Sequence, residues 1–213
     1  MRHRYFFTVF VILLKSGLYN SEESEYLHPG LPQLDITCEG GVKIAVGNEL
    51  SPKSCPTKPT LNWNSSPNEL YTVIMMDPDA PSRKDPFLRD YLHWLVVNIP
   101  GSHVRNGNEL MPFMRPRPPS GAGFHRYHVL LYKQPGKISA KEVEARAHFD
   151  TLKFAMENKI GKPIAGNFFK VRKKTRVENS LTSICKHEER DLRMSLYIPK
   201  IVFRWGEVSD RLI

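Results

Sequence analysis

Short apolar runs separated by Gly, Pro and Asn recur from Leu34 onward, and they constrain the fold more than any other feature of the chain. The clearest runs are VKIAVGNEL, ELYTVIMMDPD, LHWLVVNIPGS and FHRYHVLLYKQPG. Each has the length of a strand and is bounded by residues that favour turns. The 213 residues are enough for one domain with a substantial core, and 17 prolines disfavour long helices. The pattern therefore predicts one mainly β (α+β) domain.

The run from Leu70 to Met76 is apolar apart from Thr72, which favours a central strand covered on both faces, although its length alone also allows a helix. Side chains alternate between the two faces of a strand. Alternation therefore places His93 on a face with Leu95, Val97 and Ile99. It places His125 with Tyr127, Val129 and Leu131, and it turns Arg126 and His128 to the opposite face.

Helix signals concentrate in SAKEVEARAHFDTLKFAMENKIGKP. Ser139 with Glu142 matches a capping box, and Gly161 with Pro163 marks a stop. Apolar residues recur at helical spacing between them: Phe149, Leu152, Met156 and Ile160. We predict one helix here, with this apolar stripe packed into the core.

Residues 1–20 have the layout of a secretory signal peptide, because Arg2 and Arg4 precede a nine-residue apolar stretch, Phe6 to Leu14. That stretch is too short to span a bilayer comfortably. Secretion is the prediction, with an uncleaved anchor, a mitochondrial presequence or a cytoplasmic location as alternatives. Asn64 begins the sequon Asn-Ser-Ser and is a candidate glycosylation site, which fits secretion.

The three cysteines do not form a disulfide framework. In an oxidising compartment Cys38 could pair with Cys55 and leave Cys185 free, and three unpaired thiols are an equal alternative. No function is inferred from them.

The formal charge of +9 is local rather than general. Residues 170 to 204 carry ten Lys or Arg against four Asp or Glu, and three more positive charges lie in the signal segment. A nucleic-acid-binding protein more often has a basic face with aromatic positions across its folded body, so we predict no nucleic-acid partner. The basic segment, residues 170–213, could attract an anionic membrane surface or could be a solvated end.

The stretch IMMDPDAPSRKDP, residues 74 to 86, ends the predicted central strand with two carboxylates in a turn stiffened by proline. One interpretation is structural: Asp77 and Asp79 cap the turn and pair with Arg83. The other is functional, because two histidines begin apolar faces and the segment PPSGAGFHRY carries glycines that permit close approach of a ligand.

DPDAPSR, followed by HWLVVNIPG and GAGFHRYHVLLYKQ, resembles the phosphatidylethanolamine-binding protein family, which includes the Raf-kinase inhibitor and plant flowering regulators. CEGGVKIAVGNELSP upstream and GKPIAGNFF downstream extend the resemblance over about residues 34 to 169. It implies an antiparallel β-sandwich-like core with small peripheral and C-terminal helices. We accordingly place the domain at residues 21–169 and an atypical basic C-terminal segment at 170–213.

The resemblance also implies a small pocket for phosphate and for phospholipid headgroups. Its ligand-binding residues would be Asp77, Asp79, Pro81, His93, Gly123, His125 and Tyr127, with Tyr197 as a displaced closing residue. The Ala80-Pro81 bond is expected to be cis. From the residues themselves, the histidines and Tyr127 can donate to a phosphoryl group, and Asp77 and Asp79 would orient those histidines. Arg115 and Arg117, beside the expected entrance, would either attract phosphate or be solvated loop charges.

The predicted function is therefore a secreted, non-enzymatic, monomeric binding protein for phospholipid headgroups or phosphorylated small ligands, with no cofactor and no metal. An inhibitor of a serine protease or of a kinase is the alternative that the resemblance also allows. Catalysis is a third alternative that the residues disfavour, because no HExxH spacing and no GxSxG elbow is present.

Overall fold

The computed structural model describes residues 25–182, which belong to two units, one ending at Lys173 and one beginning at Lys174. Residues 25–173 of the first unit contain nine strands: β1 Asp35–Cys38, β2 Val42–Lys43, β3 Asn48–Leu50, β4 Thr60–Asn62, β5 Leu70–Asp77, β6 Tyr91–Pro100, β7 Asn108–Met111, β8 His125–Gln134 and β9 Ala165–Val171. It also contains one α-helix, α1 Thr151–Glu157, and two 3-10 turns, Glu39–Gly41 and Val104–Asn106. The predicted mainly β class is confirmed.

Six strands form the main sheet in the order β3-β9-β8-β5-β6-β7, and three form a small sheet in the order β2-β1-β4. All neighbouring strands are antiparallel except β3 and β9. Strand β5 lies between β8 and β6, and every residue of it after Leu70 is buried. The prediction of a central strand covered on both faces is confirmed.

The main sheet has an apolar cluster on each face. On one face, Val73, Met75 and Val129 pack against Ile36 and Leu61 of the small sheet. On the other face, a second cluster joins the sheet to α1 and to the segments before and after it: Ile74, Leu130, Phe149, Phe154 and Ile160. The two clusters bury both faces of the main sheet, and this burial stabilises the central strands. The sandwich-like core that the resemblance implied is therefore confirmed.

The predicted face of His93 is wrong, whereas that of His125 is confirmed. Met75 pairs with Trp94 and Met76 with Leu92, so His93 is the extra residue of a β-bulge. The bulge turns its ring toward Tyr127 on the small-sheet side, away from Leu95 and Val97. Strand β8 has no such shift against β5 or β9, so its alternation runs unbroken from His125.

The helix begins twelve residues later than the predicted capping box at Ser139. Asp150 is the N-cap, and its side chain accepts a hydrogen bond of 2.8 Å from the Lys153 N–H. The chain just before it is not helical, because its backbone bonds to β6 and to the loop before β6 instead: Leu92 N–H donates to Arg146 O, and Phe149 N–H donates to Asp90 O.

The apolar stripe predicted for that helix is wrong for two of its four residues, and the other two are buried outside the helix. Phe149 and Ile160 are buried, but they flank the helix rather than belong to it. Leu152 and Met156 are 67% and 71% exposed. The later start rotates the buried face onto Phe154 and Ala155, which lie in the same cluster as Phe149 and Ile160.

The sulfurs of Cys38 and Cys55 are bonded at 2.07 Å, which joins the end of β1 to the loop before β4 across 17 positions of sequence. Cys185 lies outside the described residues. Within residues 25–182, no helix is both long enough and apolar enough to cross a membrane.

In the second unit, residues 176–182 are helical, and we call this segment α2. Thr175 and Glu178 form a reciprocal capping box, in which each side-chain oxygen accepts from the other residue's backbone N–H at 3.2 and 2.7 Å. Strand β9 continues through Lys170 to Val171, so the start of the basic segment predicted at 170–213 is part of the main sheet.

We expect Gly107→Ala to lower the free energy of unfolding by about 1–3 kcal/mol, the usual cost of overpacking. A Cβ at Gly107 would lie 2.6 Å from Val96 Cγ1, 2.8 Å from Ile99 Cγ1 and 2.9 Å from Val97 O. Two of these atoms belong to β-branched side chains and one to backbone, so none moves aside easily. Urea unfolding measures the effect, with Gly136→Ala as control because its added Cβ would meet no atom within 4 Å.

Candidate functional site

Three strand ends meet at one edge of the main sheet and bring together the residues predicted for a ligand pocket. Strand β5 ends at Asp77, and its antiparallel neighbours β6 and β8 begin at Tyr91 and His125. Asp77, His93, His125 and Tyr127 are 3%, 4%, 1% and 1% exposed. The sheet therefore holds two imidazoles, a phenol and a carboxylate in a closed cluster, which we call the histidine pocket.

Asp77 fixes the orientation of His125. The carboxylate oxygen Oδ2 lies 2.7 Å from His125 Nδ1, and Oδ1 accepts from the Asp79 backbone N–H at 2.8 Å. Because a carboxylate only accepts, Nδ1 must carry a proton, and Nε2 is the ring nitrogen left for a ligand. Within residues 25–182, this buried Nε2 has no hydrogen-bond partner.

His93 is held by backbone rather than by a carboxylate. Its Nδ1 donates to the Met114 carbonyl at 2.8 Å, and its ring meets Tyr127 edge-on with a centroid distance of 5.0 Å. Burial lowers the pKa of His93 below its usual value, although the Met114 hydrogen bond and the Asp77 charge oppose that shift. The ring is therefore neutral at pH 7.

Tyr127 completes the histidine pocket. Its ring stacks on Phe169 at 5.4 Å, and its hydroxyl lies near the Arg117 backbone N–H and the Asp77 carboxylate. Burial and the Asp77 charge raise the pKa of Tyr127, so the hydroxyl keeps its proton at any physiological pH.

Asp79 does not orient a histidine, which corrects the role expected for it. Its carboxylate binds Arg126 three times: the backbone N–H at 2.9 Å, Nε–H at 2.8 Å and the Nη2 group at 2.6 Å. Burial alone would raise the pKa of Asp79, but these hydrogen bonds outweigh burial and lower it. The expected turn-cap role belongs to Asp77, whereas the ion pair of Asp79 is with Arg126 rather than with Arg83.

The remaining predicted residues lie at the margins of the site or away from it. The Ala80-Pro81 bond is cis, as expected, and Pro81 is half-buried in the turn after β5. Gly123 has a φ of +83°, a conformation that favours glycine, two residues before His125. Tyr197 lies outside the described residues, and Asn64 is exposed in the loop after β4.

Sequence reasoning missed the backbone groups of loop 112–124. It also missed Arg126, which lies on the face of the main sheet opposite His125. The Met114 carbonyl and the Arg117 N–H are backbone groups, and no sequence signal marks them. Arg126 carried a usable signal, because a charged residue inside an apolar strand needs a buried partner.

This fold and this site define a class: a two-sheet β-sandwich with a closed Asp-His-His-Tyr cluster at one sheet edge. A family model described as phosphatidylethanolamine-binding protein matches residues 23–169. The chain belongs to the phosphatidylethanolamine-binding protein family.

Relatives come from distant organisms. CEN-like protein 1 of Nicotiana tabacum is 37% identical over 145 residues, which are 67% of this chain and 82% of that protein. The 26 kDa secreted antigen of Toxocara canis is 35% identical over 145 residues, which are 65% of this chain and 55% of the antigen. The crystal structure of carboxypeptidase Y inhibitor with its cognate proteinase matches with a TM-score of 0.62 and 24% identity, over 79% of this chain and 93% of that chain. That last likeness shows the fold alone.

Proposed function

We propose that the protein binds the phosphoryl group of a phospholipid headgroup or of a phosphorylated small ligand in the histidine pocket. The observation that carries the proposal is the buried, unpartnered Nε2 of His125, which Asp77 holds in place from the opposite side of the ring. An unpaired buried polar atom costs free energy, so a ligand that supplies its partner gains that amount on binding.

The tautomer sets how the ligand binds. With Nδ1 bonded to Asp77, a bare Nε2 accepts from a P–OH or an ammonium group. A protonated Nε2 instead donates to an ionised phosphoryl oxygen, with the Asp77 carboxylate beside the imidazolium. Proton uptake on binding an anionic ligand therefore reports whether Nε2 is bare in the free protein.

A secreted location is part of the proposal. The first 20 residues have the layout of a signal peptide, and the Cys38–Cys55 disulfide suits an oxidising compartment. The sequon Asn64 is exposed and therefore accessible to glycosylation. We further propose that the protein is a monomer.

A binding role without catalysis fits the contacts of the histidine pocket. A hydrolase of the Ser-His-Asp type needs a hydroxyl or thiol nucleophile bonded to the imidazole nitrogen opposite the carboxylate. Among residues 25–182, no such group partners Nε2 of His125. The alternative role, inhibition of a serine protease or kinase, stays a prediction, because the likeness to carboxypeptidase Y inhibitor extends to the fold alone.

Calorimetric titration of the protein with glycerophosphoethanolamine tests the proposal. We expect His125→Ala and Asp77→Ala each to weaken binding roughly 10- to 100-fold, the loss of one charge-assisted hydrogen bond. Repeating the titration in buffers of different ionisation enthalpy measures the proton uptake. His103→Ala is the control, since His103 is exposed in the loop after β6. Unchanged affinity in folded His125→Ala would refute the proposal.

A further inference from the structure

A concave site lies on the segment that carries Arg115 and Arg117. It is a cavity of about 350 Å³ that we call the cationic groove. Four positive side chains line it, Lys53, Arg115, Arg117 and Lys173, and no acidic residue does so within the described part of the chain. Its remaining lining residues are prolines.

The four cations are not neutralised by neighbours. Three cations elsewhere in the first unit are paired: Lys58 with Glu109, Lys133 with Glu69, and Arg126 with Asp79. None of the four groove side chains has an ion pair or hydrogen bond to any residue in the range 25–182. Like charges gathered in a concavity repel one another and attract an anion.

The groove is shaped before any ligand arrives. Proline fixes φ, and Pro116 and Pro118 are buried, so the segment that carries Arg115 and Arg117 is stiff. That segment is also tied to the histidine pocket, because Met114 O accepts from His93 Nδ1 at 2.8 Å. On the far side, Lys173 O accepts from Gly121 N–H at 3.3 Å. Preorganisation reduces the entropy lost on binding.

The chemistry of the groove selects its ligand. Two guanidinium groups provide planar pairs of N–H donors that match phosphate oxygens. Four positive charges match two phosphomonoesters, which each carry about 1.5 to 2 negative charges at pH 7. A volume of about 350 Å³ is at the low end for small-molecule sites, which favours a compact ligand over an extended polymer.

We propose that the cationic groove is a second anion site, which binds compact molecules carrying two or more phosphate groups. The cationic groove would bind its ligand through the side chains of Arg115 and Arg117, whereas the histidine pocket uses backbone groups of that segment. We therefore expect a ligand to bind in the groove independently of phosphoryl binding at His125. Its ligand chemistry could come from a soluble inositol polyphosphate or from a phosphoinositide headgroup in a membrane.

Calorimetric titration of the whole protein with inositol trisphosphate tests this proposal. We expect Arg115→Ala with Arg117→Ala to weaken binding about tenfold, since it removes two of four charged donors. The matched control is Lys137→Ala with Lys141→Ala, which removes the same charge from the exposed loop after the other end of β8 and should change affinity less than about twofold. The arginine variant should still bind glycerophosphoethanolamine, whereas His125→Ala should still bind inositol trisphosphate.

Three results would overturn the proposal: no binding of inositol trisphosphate by the wild-type protein, equal weakening in the two double variants, or equal weakening by His125→Ala. The second would indicate general charge attraction, and the third would place the ligand in the histidine pocket. Circular dichroism confirms that each variant is folded. Sedimentation with phosphatidylcholine vesicles containing phosphatidylinositol bisphosphate then distinguishes a membrane headgroup from a soluble ligand. Vesicle binding supports a headgroup ligand for the groove, and trisphosphate binding without vesicle binding supports a soluble one.

Discussion

Asp79→Ala should lower the free energy of unfolding by about 3–5 kcal/mol, because it removes the carboxylate that pairs with a buried charge. Arg126 is 8% exposed, and its Nε, its Nη2 and its backbone N–H all donate to Asp79. Alanine removes both acceptor oxygens, while the guanidinium stays in the sheet with its charge. Urea unfolding at pH 7 measures the loss.

Asp77→Ala is the matched control, since it removes the other carboxylate of the same Asp-Pro-Asp motif. Its partners are the His125 ring and the Asp79 N–H, so we expect a loss of about 1–3 kcal/mol. The two aspartates thus have different roles: Asp79 mainly stabilises the fold, and Asp77 mainly orients a ligand-binding ring. An Asp79→Ala loss no larger than that of Asp77→Ala would contradict this division.

Lowering the pH from 7 to 5 should cost the wild-type protein about 2 kcal/mol more stability than it costs His128→Leu. His128 has no exposed surface, and neither ring nitrogen has a hydrogen-bond partner among the described residues. Burial, with help from the Arg126 charge, lowers the pKa of His128 to about 3. Its ring stacks on Phe168 at 5.2 Å and contacts Tyr26 at 5.3 Å.

The sign follows from the proton balance. Below its ordinary pKa of about 6.5, His128 takes up a proton in the unfolded chain but stays neutral in the folded one until about pH 3. The unfolded state binds more protons in that window, so stability falls as the pH falls. His93, whose pKa is also lowered, adds to the loss in both proteins equally.

Urea unfolding of both proteins at the two pH values isolates the His128 contribution. At pH 7 we expect His128→Leu to be about 1 kcal/mol more stable than wild type, since leucine leaves no buried nitrogen unpaired. Equal acid sensitivity of the two proteins would show that His128 is hydrated or partnered in solution.

The strands were predictable where local pattern and tertiary environment agree. Leu70–Met76 is apolar apart from Thr72 because both faces of β5 are covered, and β8 alternates as its sequence predicts. The bulge at His93 was not predictable, since it arises from the pairing of β6 with β5. The helix start was misplaced for a similar reason. The backbone between Ser139 and Phe149 bonds to other parts of the chain, and those bonds override the local capping signal.

The candidate site was predictable in its residues and not in their roles. The resemblance to a family supplied Asp77, His93, His125 and Tyr127, and these do lie together. Alternation along β8 turns Arg126 to the face opposite His125, where it is buried. Asp79 therefore pairs with Arg126. The cationic groove joins Lys53, the Arg115-to-Arg117 segment and Lys173 from three distant stretches, so only the folded chain reveals it.

The most direct test of the central claim is the histidine ring ¹⁵N NMR spectrum of the protein with and without glycerophosphoethanolamine. In the free protein, His125 should carry a proton at Nδ1, as its bond to Asp77 requires. On saturation, Nε2 of His125 should gain a proton or a hydrogen bond, while buried His128 stays unchanged as an internal reference. Saturable binding that leaves the His125 resonances unmoved would contradict the claim that this ring holds the phosphoryl group.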